Sequence, residues 1–291
     1  MRDSIQRIGL IANPEKTHCR PLVRRAAALI ARANRTAVTE RVTADFTGVA
    51  VPVLADVRQL GASTDLLLVF GGDGTILRVA REVARSGTPI LGVNTGGLGF
   101  LTAASSDELG LALRGVWKGT FSVERRRLIE ATRPSANRQI RQVALNDFVI
   151  SRSAVTRLIE LEVAVDGTVL THYRCDGLIV STPTGSTAYS LAAGGAVVSP
   201  DAEVMTLTPI CPHTLSNRSV IVGLHSVLSV TVLSSRVDTV LSADGQTHSL
   251  LATGDVITIR RSHQAIRLVR LAGTSFFDTL RRKLRWSGSS L

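Results

Sequence analysis

An aspartate stands among three glycines at residues 71–75, Gly-Gly-Asp-Gly-Thr, directly after the unbroken apolar run 66–70. A carboxylate in such a turn can take a proton from a hydroxyl group as a general base, or it can bind the Mg²⁺ that accompanies a phosphate. The alternative is a turn aspartate that only satisfies backbone N–H groups, and a lone Gly-Asp-Gly would favour it. Two glycines precede Asp73, and strand and helix patterns flank the turn. These features favour a general base or a Mg²⁺ ligand over a turn residue.

A second polar segment, Ser-Thr-Pro-Thr-Gly-Ser-Thr at 181–187, carries five hydroxyl groups in seven residues. It follows a strand-like stretch, 176–180, and precedes a helix-like stretch, 188–193, that Gly194 and Gly195 end. Helix capping explains one or two such hydroxyls. The remainder suit a ligand that is rich in hydroxyl and phosphate groups, such as a nucleotide.

The elements around Asp73 place it where ligands bind. The run 66–70 is typical of a strand buried on both faces of a parallel sheet. Apolar residues then recur at helical spacing from Ile76 to Ala84, and Gly87 is expected to end that helix. The turn therefore lies at the carboxyl end of a strand, and the helix start offers free N–H groups to a phosphate.

The first part of the chain, residues 1–119, alternates strand and helix patterns. Strands are expected at 7–12, weakly at 37–42, and at 89–93, where a second glycine-rich turn, 94–100, follows. Helices are expected to begin near Pro21 and after a cap at Ser105 or Ser106, whereas 44–62 is ambiguous. This alternation predicts an α/β domain with a doubly wound, mostly parallel sheet.

The period changes near residue 120, where short alternating or β-branched segments begin. They cover 121–131, 140–152, 157–165 and 168–174, and return at 220–222, 227–232, 239–242, 256–260 and 266–271. The pattern predicts an all-β domain of sandwich type over residues 120–275. A short helix is expected in the remaining tail, residues 276–291.

The charge and the aromatic content of the chain limit the classes of molecule that it is expected to bind. The formal net charge is +11, from 34 basic and 23 acidic side chains, which suits nucleic acid, a membrane surface or a polyanionic small molecule. Aromatic residues make up only 4% of the chain and no basic block interleaves with them, so we expect no nucleic-acid partner. No apolar run could span a bilayer, and the first residues lack a signal peptide's apolar core. We therefore expect a cytoplasmic protein without a membrane partner.

Taken together, the motifs closely resemble those of the bacterial NAD kinases, over nearly the whole chain. The shared segments are 71–75, Asn-Thr-Gly-Gly-Leu-Gly-Phe-Leu at 94–101, Leu-Asn-Asp at 145–147, 176–195 and Pro-His-Thr-Leu-Ser-Asn-Arg at 212–218. Lipid kinases of the diacylglycerol and sphingosine type share the first of these, but the segment 176–195 is highly specific.

The resemblance implies transfer of a phosphoryl group from ATP, with a divalent metal such as Mg²⁺, to the 2′-hydroxyl of the adenosine ribose of NAD. It makes Asp73 the catalytic base and leaves the metal ligands unassigned. It implies a homodimer or homotetramer. The residues expected at the substrates are Gly72, Gly74, Asn146, Asp147, Arg157, Arg174, Asp176, Thr187, Ala188, Tyr189, Ser190, Leu191, Ala192 and Gln246.

Three further points stay open on the sequence. Asp147 stands where the family usually has glutamate, so its carboxylate reaches one methylene less far. A lipid kinase is the alternative enzyme, since it shares the glycine turn and a β-rich second half, although the hydroxyl segment argues for a soluble nucleotide. A nucleotide-binding regulator without catalysis is the third hypothesis, and the presence of Asp73 argues against it.

Overall fold

A computed structural model of the chain describes residues 5–97, 99–133, 139–153, 157–213, 218–235 and 237–286. These residues form two compact units. The first takes the described residues up to Arg125 and again from Ala265 onward, and the second takes Arg126–Gln264. Leu98 and residues 214–217, which belong to two of the family-like segments, lie outside the described residues.

The first unit begins as alternating strands and helices, with bounds that largely follow the apolar periodicity. Its elements are β1 (Arg7–Ala12), α1 (Cys19–Arg32), β2 (Thr36–Glu40), α2 (Arg41–Thr47), β3 (Val53–Leu54), α3 (Val57–Ala62), β4 (Leu66–Gly71), α4 (Asp73–Val83), β5 (Ile90–Asn94), β6 (Ala104–Ser105) and α5 (Leu109–Lys118).

Its sheet has the strand order β3-β2-β1-β4-β5, all parallel, with β6 beside β5. One face packs on α1 and α5 through a cluster that includes Leu10, Phe70 and Leu113. On the other face, Gly9 lies against Leu60 of α3 and Gly92 against Ile76 of α4. Helices therefore cover both faces, and the predicted doubly wound α/β domain is confirmed.

The rest of the chain is mostly strands. They are β7 (Phe121–Arg133), β8 (Ile140–Ala144), β9 (Asp147–Arg152), β10 (Ile159–Val165), β11 (Thr168–Cys175), β12 (Gly177–Ser181), β13 (Val204–Ile210), β14 (Val220–Gly223), β15 (Leu228–Val232), β16 (Thr239–Ala243), β17 (Thr247–Leu251) and β18 (Val256–Leu271). A 3-10 turn (Thr184–Thr187) and α6 (Tyr189–Ala192) follow β12, and α7 (Phe276–Leu284) follows β18.

The second unit is a β-sandwich, as predicted. One sheet has the antiparallel order β14-β13-β12-β9-β16-β17. The other includes β11-β10-β15-β18, and β7 pairs with β8. Alternate side chains of both sheets, among them Phe148, Leu161 and Leu207, meet in one buried core.

Several local expectations are corrected. The helix expected to follow a cap at Ser105 or Ser106 begins at Leu109, and in the turn before it Ser105 and Glu108 bond reciprocally, in the pattern of a capping box. The helix after Asp73 ends at Val83, before Gly87. The ambiguous stretch 44–62 contains most of α2, then β3 and α3.

The division into units also differs from the predicted boundaries. Strand β18 runs without a break from Val256 to Leu271, so the chain passes from the second unit back into the first within one strand. Its Leu268 pairs with Ile90 of β5, and α7 then belongs to the first unit and not to a separate tail. Among the described residues, no helix combines the length and apolar character that a membrane crossing needs.

Candidate active site

The carboxyl ends of three neighbouring parallel strands form one edge of the first unit's sheet. Strand β4 lies between β1 and β5. Strand β1 ends in the turn that carries Asn13, β4 in the turn that carries Gly72, and β5 in the turn that carries Gly96. Helix α4 begins directly after Gly72, so its first N–H groups face this edge. The topology therefore places the Gly-Gly-Asp-Gly turn where open α/β sheets bind ligands.

The carboxylate of Asp73 is oriented by two backbone donors. Phe100 N donates to Oδ2 at 2.9 Å and Leu101 N donates to Oδ1 at 3.1 Å. The hydrogen-bonding role of a turn aspartate is thus present. Each carboxylate oxygen has a further lone pair, however, so these bonds fix the direction of the group and leave it able to accept a proton.

The turn that holds Asp73 is itself tightly supported. A Cβ atom on Gly99 would lie 2.2 Å from Asp73 Oδ1, so only glycine allows this approach. The buried guanidinium of Arg270 donates to Phe100 O at 2.8 Å and to Thr102 O at 3.2 Å, and it pairs with Glu124 at 3.0 Å. This arginine, which the sequence patterns did not single out, fixes the loop that orients the aspartate.

The second unit contains a cavity of about 500 Å³ on one face of β9, β16 and β17. It brings together four of the predicted residues: Asn146, Asp147, Ala188 and Tyr189. The other lining residues are Val149, Ser151, Val240, Ser242, Asp244, Gly245 and His248. Such a mixture of apolar walls and a few polar groups is typical of small-molecule sites.

The turn that presents Asn146 is clamped by Asp244. Its carboxylate accepts N–H groups from Leu145 at 3.1 Å, Asn146 at 2.8 Å and Asp147 at 3.2 Å. Asp147 itself is 4% exposed. Burial, and in second place the charge of Asp244, raises the pKa of Asp147 to about 7. Its carboxyl group can therefore both donate and accept a hydrogen bond near neutral pH.

The hydroxyl segment builds the loop more than it offers free groups. Thr182 Oγ1 donates to Leu145 O at 2.6 Å and Ser181 Oγ donates to Asn146 O at 3.2 Å, so both hydroxyls hold the Asn146 turn in place by hydrogen bonds. The remaining three hydroxyls also have internal partners: Thr184 accepts from Arg126, Ser186 donates to Pro183 O, and Thr187 donates to Thr184 O. The expectation that structure needs only one or two of them is wrong.

Among the predicted run 187–192, only Ala188 and Tyr189 line the cavity. Tyr189 is about half exposed, so its ring is available to a ligand. Ser190 is fully buried, and its Oγ lies 3.1 Å from Thr208 Oγ1. Thr187 and Leu191 are partly buried and Ala192 is exposed.

The other predicted residues do not line this cavity. Arg157 is exposed before β10. Arg174 is exposed on β11 and pairs with Glu160 at 3.8 Å, whereas Asp176 pairs with Arg152 at 2.7 Å. Gln246 is exposed in the β16–β17 hairpin, where its N–H donates to Ala243 O at 3.0 Å. Their assignment to a substrate remains a prediction.

Seven lining residues of the cavity were not predicted as site residues, and Ser242 and His248 are two of them. Ser242 is buried, and its Oγ has no hydrogen-bond partner among the described atoms. His248 faces it across the β16–β17 pair. Val240 and Ser242 alternate along β16, and Asp244 continues the alternation just after the strand. This alternation is the signal that could have found the face, because alternate residues of a strand share one side.

Comparison with known proteins identifies the family. The model of the ATP-NAD kinase N-terminal domain matches residues 8–121, and that of the ATP-NAD kinase C-terminal domain matches residues 145–271. The chain belongs to the ATP-NAD kinase family. The resemblance drawn from the motifs is thereby confirmed.

Named relatives agree with this. The chain is 42% identical to an NAD kinase of Moorella thermoacetica over 290 residues, covering 98% of this chain and 91% of the relative. It is 48% identical to an NAD kinase of Symbiobacterium thermophilum over 221 residues, covering 76% and 78% of the two chains.

Solved structures of the family share the fold. A yeast NADH kinase complexed with NADH has a TM-score of 0.88 at 27% identity, covering 99% of this chain and 89% of its own. An NAD kinase from Archaeoglobus fulgidus in complex with ATP has a TM-score of 0.76 at 28% identity, covering 97% of this chain and all of its own.

Proposed function

We propose that the protein is an NAD kinase, which transfers a phosphoryl group from ATP to the 2′-hydroxyl of the adenosine ribose of NAD and forms NADP. The observation that carries the proposal is family membership over both units, with Asp73 retained in its turn. The relatives named above are NAD kinases, and two solved neighbours bind NADH and ATP.

The cavity of the second unit supports dinucleotide binding. Its volume of about 500 Å³ suits a nucleoside-sized group. In this proposal, Asn146 and Asp147 hydrogen-bond ribose or adenine, and the Tyr189 ring packs on a base. Ser242 Oγ supplies a further hydrogen bond, since it lacks a partner among the described atoms. The predicted contacts of Arg157, Arg174, Asp176 and Gln246 belong to the same proposal.

Asp73 supplies the acid–base chemistry. A ribose hydroxyl is a poor nucleophile at neutral pH, and a carboxylate within hydrogen-bond reach accepts its proton as the new phosphorus–oxygen bond forms and ADP leaves. The two N–H donors from Phe100 and Leu101 fix the carboxylate before the substrate arrives, so the reaction need not reorient it. Gly72 and Gly74 let the substrates approach the backbone beside it.

The donor set suits a metal that arrives with the nucleotide. No group of three candidate side-chain ligands occurs among the described residues, and Asp73 is the carboxylate at the α4 start. Mg²⁺ keeps several waters and binds largely through substrate phosphates, so a metal that the triphosphate carries to this sheet edge leaves the Asp73 carboxylate to act as the base. When bound there, Mg²⁺ would offset the negative charge of the phosphates.

One assay separates the candidate enzymes. The protein is incubated with ATP, Mg²⁺ and either NAD, diacylglycerol or sphingosine, and the phosphorylated product is identified by mass spectrometry. The proposal predicts NADP from the first mixture only. A phosphorylated lipid without NADP would support a lipid kinase, and nucleotide binding without any product would support a non-catalytic regulator.

A further inference from the structure

Lys16 lies over the glycine turns of the first unit. It follows β1 in the turn that Asn13 organises, where Asn13 O accepts from Lys16 N at 3.1 Å and Asn13 Oδ1 accepts from Glu15 N at 3.0 Å. A Cβ atom on Gly72 would lie 3.5 Å from Lys16 Nζ, and one on Gly96 would lie 4.0 Å from it. The ammonium group therefore sits between the glycines that end β4 and β5.

The N-terminus of a helix adjoins this ammonium group. Gly72 is the N-cap of α4, an eleven-residue helix whose N-terminus carries partial positive charge. Asp73, the adjacent carboxylate, is directed to the N–H groups of Phe100 and Leu101. No described acidic side chain forms an ion pair with Lys16. A lysine held beside a helix N-terminus without an acidic partner is stabilised when an anion binds between them.

The glycines leave room for that anion. Gly96 and Gly97 are exposed, and a Cβ atom on Gly97 would meet nothing within 4 Å. Lys16 is partly buried, so its charge is less screened by water than that of a fully exposed lysine. The space between Lys16, Gly72 and Gly96 can thus hold phosphate oxygens against an ammonium group and backbone N–H groups.

We propose that Lys16 is a substrate-contacting residue that binds the phosphate chain of the triphosphate donor. The inference rests on the proposed phosphoryl transfer and adds a residue to it: a cation contributed by the turn after β1. An ammonium group there would neutralise part of the donor's charge at the same sheet edge as Asp73.

The test measures binding apart from turnover. ATP and inorganic tripolyphosphate are titrated into the full chain by calorimetry in the presence of Mg²⁺, and adenosine serves as the ligand without phosphates. For Lys16→Met we expect the dissociation constants of ATP and tripolyphosphate to rise by a similar factor of at least ~10, because a charged hydrogen bond is lost. Adenosine binding and the Michaelis constant for NAD should change less than about threefold.

Lys118→Met is the matched control, since it removes the same charge from an exposed lysine at the end of α5 in the same unit. Lys16→Arg keeps the charge and should restore most of the affinity for both phosphate ligands. Lys16→Gln is the second variant. It removes the charge but keeps a polar side chain in the turn, so it can be measured if Lys16→Met fails to fold.

Failure of this inference is distinct from failure of the proposed function. If Lys16→Met and Lys16→Gln bind tripolyphosphate as tightly as the native chain, or if Lys118→Met weakens it equally, the assignment of Lys16 is overturned even when the protein makes NADP. If the native chain makes no NADP but Lys16→Met still loses tripolyphosphate binding selectively, the phosphate site stands and the acceptor assignment falls.

Discussion

Asp73 combines two roles that a sequence motif presents as alternatives. Its oxygens accept backbone N–H groups from the neighbouring turn, and each oxygen also has a lone pair for a substrate proton. The aspartate that ties two glycine turns together is therefore also well oriented to act as a base. Replacing it tests chemistry and turn structure together, so its variants need a measurement of folding.

Asp73→Asn should lower turnover by ~10²–10⁴-fold, because the amide cannot accept the ribose proton and general-base catalysis contributes about that factor. The amide NH₂ would face one of the two N–H donors, so the free energy of unfolding should also fall, by roughly 1–3 kcal/mol. Steady-state kinetics and urea unfolding measure the two effects separately.

The exposed residue Asp107 provides the control, and Asp107→Asn should retain native turnover. The dissociation constant for NAD of the Asp73 variant should stay within about tenfold of the native value, a shift of at most ~1.4 kcal/mol. A folded Asp73→Asn protein that keeps more than about a tenth of native turnover would show that this aspartate is only a turn residue.

Asp147 should make stability depend on pH. Burial and the Asp244 charge raise the pKa of Asp147 to about 7, above its value in the unfolded chain. Between about pH 4 and pH 7 the folded state therefore holds a proton that the unfolded state has lost, and the free energy of unfolding falls as pH rises, by up to about 1.4 kcal/mol per pH unit. Below this window and above it, Asp147 adds no slope.

Urea unfolding at several pH values checks this, with Asp147→Asn as the comparison. The variant has no such proton, so the stability of the native chain relative to it should fall from pH 4 to pH 7 and then level off. Asp238→Asn, at an exposed site of the same unit, should keep the native slope. Parallel curves for the native chain and Asp147→Asn would refute the assignment.

At the scale of elements, the hydroxyl segment and the Asn146 turn form one structure. The backbone of Asn146 accepts from Thr182 N at 2.9 Å and from Ser181 Oγ at 3.2 Å. Gly185 packs directly on the same carbonyl group. The segment therefore sets the position of the Asn146 turn in the cavity wall through backbone contacts.

Gly185→Ala tests that packing. Its Cβ atom would lie 2.1 Å from Asn146 O, so the turn must shift. We expect the free energy of unfolding to fall by about 1–3 kcal/mol. The Michaelis constant for NAD should rise more than that for ATP, since the displaced turn belongs to the proposed dinucleotide site. Urea unfolding and kinetics measure both.

Gly223→Ala on β14 is the matched control, because its Cβ atom would meet nothing within 4 Å. It should be close to native in both measurements. A Gly185→Ala protein with native stability and native constants would contradict the role given to this segment.

Local patterns made the elements predictable, and long-range contacts limited what could be predicted. The run 66–70 forms β4 and the segment after it forms α4. Both were predictable, because a strand buried on both faces has a continuous apolar run, whereas a helix buried on one face has apolar residues at helical spacing. The clamp between Asp244 and the turn at 145–147 joins residues about a hundred positions apart, and no local pattern reports such a pairing. Arg270 was missed for the same reason, since the carbonyl groups of Phe100 and Thr102 that it binds lie about 170 positions away.

At the scale of the whole molecule, strand β18 decides how the chain divides. Its first residues belong to the sandwich and its last to the α/β unit, so a boundary placed between periodic segments could not find the division. The fold class was predictable because helices and strands each give the apolar residues of the sequence their own spacing. The place of α7 in the first unit was not, because it depends on the pairing of the end of β18 with β5.

Oligomer formation is expected at this scale, as a homodimer or homotetramer. The two edge strands of the six-stranded sheet each expose an apolar side chain, Ile221 on β14 at 52% and Leu250 on β17 at 58%. Light scattering at micromolar concentration should give a mass of two or four chains. If the chains meet along these edge strands, a charge there should weaken the contact between chains. We therefore expect a lower mass for Leu250→Lys and for Ile221→Lys.

The matched control is Leu111→Lys, which changes an apolar side chain of similar exposure, 65%, on α5 of the first unit. It should leave the mass unchanged. A native protein that is fully active as a monomer would contradict the expectation.

The most direct test of the central claim follows the phosphoryl group to a single oxygen. The native chain is mixed with γ-labelled ATP, Mg²⁺ and either NAD or its analogue that lacks the 2′-hydroxyl of the adenosine ribose, and labelled dinucleotide and ADP are quantified. The account predicts equal amounts of NADP and ADP from NAD and no labelled dinucleotide from the analogue. Labelling of the analogue, or consumption of ATP without NADP, would contradict it.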